Sequence, residues 1–249
     1  EKWDIGRWDQ GCLDRGFMMA GMHPPREEHC KALGGRRAMY RGVDGSYLTE
    51  VEGGYVLDFI DKHADDDKPF FMYFVPLAVH VPHEEVPLKY LKRLYPDHKG
   101  EYTRRQRLRA VLLALDDQIG LIRKKLREKG IEKDTLIMFS SDNGGDPGAD
   151  HRPLPYRGGK GGRNRFNLQW EGNFRMPTIL TFPGTLPAGK EYSGMNSTLD
   201  FYATAAAVAE TKLPDHCEGE NLLPLLVGEK KPNPDKALFW HTYTSRAAR

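Results

Sequence analysis

A chain of 249 residues, 39% hydrophobic and 29% charged with a formal net charge of +2, has the apolar mass for one large core or two modest ones. That balance excludes a disordered polyelectrolyte and sits too near neutral for a strong nucleic-acid field. No apolar run reaches the roughly 20 residues that span a bilayer, the opening segment lacks the pattern of a secretory leader, and Cys12, Cys30 and Cys217 lack the paired spacing of a zinc site or disulfide framework.

Residues 1–46 are rich in Gly, Arg, Met and Pro and read as irregular connection with a short strand near 38–43. The chain opens on Glu1-Lys2-Trp3 rather than Met, so an upstream part is expected to be missing. From Tyr47 the apolar positions Leu48, Val51, Tyr55, Phe59 and Ile60 recur at helical spacing, predicting a helix to about His63 that opens on a Thr49-x-x-Glu52 capping box. Residues 65–69 form a polar stop, and the aromatic run 70–75 predicts a strand buried on both faces. That strand delivers His80-Val81-Pro82-His83, two imidazoles flanking a Pro that stiffens the loop. Residues 103–129 carry Leu108, Val111, Leu112, Leu115, Ile119, Ile122 and Leu126 on one face of a long helix, and its basic opposite face reads as solvated rather than as a polyanion site. Gly130 is its stop.

Residues 135–140 predict a buried parallel strand ending in a turn with Asp142, Asn143, Gly144 and Gly145. Ligands of open α/β sheets bind just beyond the carboxyl ends of strands, and the carboxylate and amide oxygens suit a hard cation; an Asx-type turn capping the strand is the other reading. Residues 144–176 lack periodicity and read as a functional loop. Within it, Tyr156-Arg157-Gly158-Gly159-Lys160-Gly161-Gly162-Arg163 combines backbone freedom with positive charge, a combination suited to an anion. It does not meet the P-loop pattern, and a nucleic-acid tether of Arg-Gly-Gly type would need more than one copy. A strand at 177–182, a turn at 183–184, an Ala-rich helix at 200–210 and short apolar runs at 222–226 and 238–240 complete an α/β alternation.

In order, Lys2-Trp3, His80-Val81-Pro82-His83, Ser141-Asp142-Asn143-Gly144, Arg157-Gly158-Gly159-Lys160-Gly161, Glu171-Gly172 and Arg175-Met176-Pro177 resemble the type I, formylglycine-dependent sulfatases of the alkaline-phosphatase-like superfamily. Phe182-Pro183-Gly184, Leu199-Asp200-Phe201-Tyr202 and Leu222-Leu223-Pro224-Leu225-Leu226 extend the resemblance over essentially the whole chain. It implies a mostly parallel central sheet flanked by helices, with residues 1–220 forming a partial catalytic domain and 221–249 starting a smaller C-terminal subdomain. It also implies hydrolysis of a sulfate ester, on a small molecule or a carbohydrate, by a formylglycine hydrate beside Ca2+. On that resemblance Asp142 and Asn143 are the metal ligands, while Lys2, His80 and Lys160 are catalytic: Lys160 meets the sulfate and His80 the leaving-group oxygen. His83, Asp4 and Arg157 are the expected substrate-binding residues, His83 either lining the mouth or supporting the loop. Export or a lysosomal location is implied as well; no nucleic acid and no membrane span are expected, and oligomeric state is not read from the sequence.

Three departures bear on activity. Asp4 stands where the family has a His touching the nucleophile, and an anion there repels sulfate unless it is protonated or turned to the metal. The Cys/Ser-x-Pro-x-Arg nucleophile motif is absent, Cys12-Leu13-Asp14-Arg15 lacking the Pro and the spacing, and so are the paired aspartates that complete the calcium shell. Residues 161–170 add a stretch between the lysine loop and Glu171-Gly172. The chain alone is therefore expected to be inactive. Two alternatives accompany the sulfatase reading: a degenerate, non-catalytic binder of sulfated polyanions, and a phosphoester or phosphonate hydrolase of the same superfamily.

Overall fold

The computed structural model describes residues 46–151, 154–160, 170–241 and 246–248. The chain divides into two compact units, Glu1–Gly130 and Ile131–Arg249. The expected strand at 38–43 lies outside the described residues.

The first unit is helical. Helix α1, Leu48–His63, forms over the expected span and buries Leu48, Val56 and Ile60, but its buried face is shifted from the expected stripe, Tyr55 being 46% exposed. Its N-cap is Tyr47 and no side chain caps it, so the expected Thr49/Glu52 box does not form. The reason is burial. Thr49 and Glu52 are only 3% and 5% exposed, and the Glu52 carboxylate instead accepts the Leu77 N–H at 3.3 Å. Helix α2, Leu88–Leu94, is a short element that the sequence reading passed over. Helix α3, Arg104–Glu128, opens on a true capping box: Thr103 accepts from the Gln106 N–H while the Gln106 side chain takes the Thr103 N–H at 2.8 Å. Lys129 caps its carboxyl end, and Gly130, at φ +76°, takes the left-handed conformation beyond it.

Tyr47, Val86, Tyr90, Leu91, Ala110, Val111 and Ala114 form one core, with Ala78 and Val79 packed against it. A Cβ at Gly53 would overlap the Gln118 side chain of α3, which would then have to move. The basic side of α3 is not simply solvated. Lys125 bonds Asp61 at 2.8 Å, Lys129 reaches Asp65 at 3.2 Å, and Arg93 of α2 forks onto Asp117.

The aromatic run 70–75 departs from expectation. It is extended but pairs with no strand among the described residues, and its exposure alternates: Phe71, Tyr73 and Val75 are 62%, 73% and 49% exposed. Phe70 packs edge-on to Phe59 at 5.4 Å, and the alternation means that the run is not buried on both sides.

In the second unit a short turn of helix, Glu132–Asp134, precedes strand β1, Ile137–Ser140. After helix α4, Glu171–Phe174, comes strand β2, Thr178–Thr181, which pairs with β1 in antiparallel register from Ile137↔Thr181 to Ser140↔Thr178. The expectation of a buried parallel strand at 135–140 is thus corrected: its described partner runs the other way and its residues are half-buried. Helix α5, Leu199–Val208, and helix α6, Leu223–Leu226, follow, then β3, Phe239–His241, antiparallel to β4, Arg246–Ala248. Helices and short strands alternate along the unit as an α/β chain requires.

Asp200, 1% exposed, is the polar centre of this part. It accepts from the Ser197 N–H at 2.7 Å, the Glu220 N–H at 2.8 Å and the Lys236 ammonium at 3.2 Å, while Thr204 links the Asp200 carbonyl to the Leu222 N–H. This network crosses the boundary expected at 220/221. Removing a buried, paired carboxylate leaves its partners stranded, so Asp200→Ala is expected to cost about 3 kcal/mol or more. Thr103→Ala, which loses one helix cap, should cost about 1 kcal/mol. Chemical denaturation of the two variants beside the parent checks both values and their order.

Candidate functional site

Each unit carries part of the predicted site, and each part is held by local chemistry. In the first unit the run 70–75 leads into the loop of His80 and His83. Glu52 pins the loop at the Leu77 N–H, the His80 N–H donates to the Leu77 carbonyl at 2.9 Å, and Val79 is seated in the core. His80 is exposed, with Nδ1–H donating to the Val81 carbonyl at 2.7 Å, which leaves the neutral ring's lone pair on Nε2. His83 is 2% exposed and donates from Nε2 to the Val79 carbonyl at 3.1 Å. Burial pushes its pKa below the ordinary value, outweighing the opposing Val79 hydrogen bond and Glu84 charge; Arg104 and His80 add to the depression.

In the second unit, β1 ends at Ser140 and the turn carries Asp142 and Asn143. Ser141 Oγ donates to the Asn143 carbonyl at 2.9 Å, and Asn143 Nδ2 donates to the Gly144 carbonyl at 3.0 Å, so its amide nitrogen is committed and the oxygen is the end turned elsewhere. Asp142 is exposed and its carboxylate has no hydrogen bond or ion pair among the described residues.

Three backbone hydrogen bonds lock this turn to the glycine-lysine loop and to α4: Gly144 N–H to the Asn173 carbonyl, Lys160 N–H to the Gly145 carbonyl and Gly172 N–H to the Arg157 carbonyl, each 2.8 Å. The glycines are what allow it. A Cβ at Gly144 would overlap the Gly172 carbonyl oxygen, and one at Gly159, at φ +150°, would overlap the Gly145 carbonyl. Asp142, Asn143, Arg157 and Lys160 therefore stand on one knitted group of loops.

The charges on these loops differ in how they are met. Arg175 pairs with Glu171 at 3.2 Å and lies over the Tyr156 ring at 4.7 Å. Arg157 is exposed, with its guanidinium 3.4 Å from the centroid of the Trp170 ring, and has no acidic partner among the described residues. The Lys160 ammonium likewise has none. Phe174 stacks on Trp240 at 4.5 Å, tying α4 to β3.

Lys2 and Asp4 lie outside the described residues. No cluster of three or more His, Cys, Asp or Glu able to hold a metal occurs among the described residues. Two residues escaped the sequence reading. Glu52 was legible only as a cap, although an acid three and four residues from Thr49 and Leu48 on a helix's apolar face already signals a buried carboxylate seeking a donor. Trp170 had one signal, an aromatic placed directly before Glu171-Gly172.

Residues 9–211 match the family described as "Sulfatase". The chain is 33% identical over 216 residues to a sulfatase of Formosa agariphila, which covers 78% of this chain and 36% of that protein. It is 30% identical over 200 residues to the N-acetylgalactosamine-6-sulfatase of Canis lupus familiaris, covering 78% of this chain and 35% of that one. Among solved structures it is similar to Ps i-CgsB in complex with k-i-k-neocarrahexaose, with a TM-score of 0.70 at 29% identity over 82% of this chain and 44% of the other. The chain belongs to the sulfatase family and has its α/β fold. Members of the family are generally metal-dependent. The chain spans about a third of the length of the curated relatives it matches.

The depressed His83 has a stability consequence. Its ordinary pKa is about 6.5. Below that value the unfolded chain takes up a proton that the folded chain refuses until a lower pH, so His83 contributes stability that is full above about pH 6.5 and is lost as the pH falls toward the folded value. Denaturation midpoints from pH 7.5 down to 5 should fall, and His83→Gln, which keeps a donor for Val79, should show a shallower decline.

Proposed function

We propose that this chain is part of a sulfuric ester hydrolase acting on a sulfated carbohydrate, with Lys160 as the cation that meets the sulfate. The observation that carries this reading is the pair of uncompensated cations, Lys160 and Arg157, on loops locked to the turn of Asp142 and Asn143. Charge left unpaired on a backbone held this firmly is poised for a ligand of opposite sign, and preorganised positive charge is what a developing ester oxyanion needs. Membership of the sulfatase family supports the reaction class, and the neocarrahexaose bound by the similar Ps i-CgsB supports a carbohydrate.

The metal of this reading is Ca2+. Asp142 offers an unpaired carboxylate and Asn143 an amide oxygen, both hard donors, so the residues present fit the ion. When bound, it supplies positive charge that steadies the sulfate and the nucleophile beside it. Calcium ordinarily takes 6–8 oxygens, so these two alone should hold it weakly. His80 is assigned the imidazole that gives a proton or hydrogen bond to the leaving-group oxygen, and His83 the support of its loop. Lys2 keeps its expected catalytic role and Asp4 its place on the substrate side by resemblance. The nucleophile, a formylglycine, is assigned to residues other than those of this chain, and the whole protein is placed outside the cytoplasm or in a lysosome. No helix among the described residues is long and apolar enough to cross a membrane.

The test is turnover of a chromogenic aryl sulfate with Ca2+, by this chain and by a longer form carrying an upstream Cys/Ser-x-Pro-x-Arg. The longer form should turn over and this chain should not. Lys160→Ala in the longer form should lower kcat about 10²- to 10³-fold. Turnover by the short chain contradicts the assignment of the nucleophile elsewhere, and an unaffected Lys160→Ala contradicts the role of the lysine.

A further inference from the structure

Resting on the sulfate-ester reading, we propose that Arg157, held face-on by Trp170, reads a second anionic group on the substrate. The ligand class is then a saccharide bearing at least two acidic substituents rather than a lone sulfate ester.

The argument begins from what each cation of these loops has been given. Arg175 is satisfied twice, by Glu171 and by the Tyr156 ring. Arg157 has the ring without the acid: its guanidinium lies 3.4 Å from the Trp170 centroid and no carboxylate among the described residues meets it. Stacking on an indole covers one face of a guanidinium and leaves the in-plane N–H donors at its edge. Those donors match the two oxygens of a sulfate or carboxylate as a fork, which a lysine cannot do.

The stack also removes much of the freedom that makes an exposed arginine a poor anchor. Arg157 is fixed at its own backbone by the Gly172 N–H and at its tip by Trp170, two residues before that amide. Side-chain ordering is thus spent before the ligand arrives, which favours affinity. Three residues on, Lys160 carries the other uncompensated charge of the loop and is itself pinned through its N–H to Gly145. A sulfate monoester carries one negative charge. Lys160 and the Asp142/Asn143 metal already answer it, so a second, differently shaped cation is left over. A fork that must remain edge-free is consistent with recognition of a neighbouring substituent on the same saccharide. Trp170 is accordingly a positioning residue that acts through Arg157.

Calorimetric binding to this chain with Ca2+ tests the proposal, using κ-neocarrabiose with one sulfate and ι-neocarrabiose with two as probes. The disulfated sugar is expected to bind about tenfold more tightly, in keeping with one added charge-assisted contact. Arg157→Ala should bring the ratio of the two affinities to about one. Arg157→Lys should recover little, because charge without the fork is not enough. Trp170→Ala should lower the ratio and Trp170→Phe restore it, a pattern that a merely structural Trp would not give. Equal affinity of the parent chain for the two sugars, or equal weakening of both by Arg157→Ala, overturns the proposal while leaving the sulfate-ester reading in place. Failure of the parent to bind either sugar, or indifference of both affinities to Lys160→Ala, overturns that reading and the proposal with it.

Discussion

The hydrogen bond from the Lys160 N–H to the Gly145 carbonyl, 2.8 Å long, fixes which residues can act together in the second unit. Lys160 and Asp142 are eighteen positions apart in the chain, and without that bond nothing local would put a lysine loop beside a strand-end turn. Two companion bonds, from Gly144 to Asn173 and from Gly172 to Arg157, close the arrangement from the α4 side. At two of the three, a carbonyl oxygen occupies the space of a missing Cβ, so Gly144 and Gly159 are requirements of the lock rather than loose joints. Backbone groups satisfy one another, and the charged side chains are left over.

The first unit solves a similar problem with a side chain. Glu52 is drawn into the interior by the helix stripe it occupies, and a buried carboxylate must find donors. It finds the Leu77 amide, so the loop that leads to His80 is tied to α1 instead of hanging from the 70–75 run. His83 then does inside the loop what Glu52 does at its start, spending its Nε2 proton on Val79 and leaving His80 as the exposed imidazole. Both devices hold the His80 loop with buried polar groups that bond its own backbone.

Much of this was legible from sequence where the physics is local. The long helix was readable because seven apolar positions share one face and Gly130 marks its end. The strand-end turn was readable because Asp-Asn-Gly-Gly behind an apolar run has few other meanings. Strand direction was not readable at 135–140, because an apolar run carries no mark of its partner's sense, and that partner, 178–181, begins almost forty residues later. The aromatic run 70–75 misled for a related reason: six apolar residues satisfy a two-sided burial pattern, yet alternate ones stand exposed. The Thr49/Glu52 box failed because a local motif competed with the core and lost. Arg157 was visible as a positive charge, whereas its partner Trp170 lies thirteen positions later, at the far end of the added stretch, and only the folded loops bring the two together.

The sulfatase family assignment and the loop geometry meet in one claim, that the Lys160 ammonium is left unpaired because a tetrahedral anion is its partner. A crystal structure of the protein with calcium and tungstate tests this most directly, since tungstate is a tetrahedral anion located by its own anomalous scattering. The account predicts tungstate at about 3 Å from the Lys160 ammonium, within hydrogen-bond reach. Tungstate bound only elsewhere, or a Lys160 ammonium folded onto a carboxylate of its own chain, would contradict it.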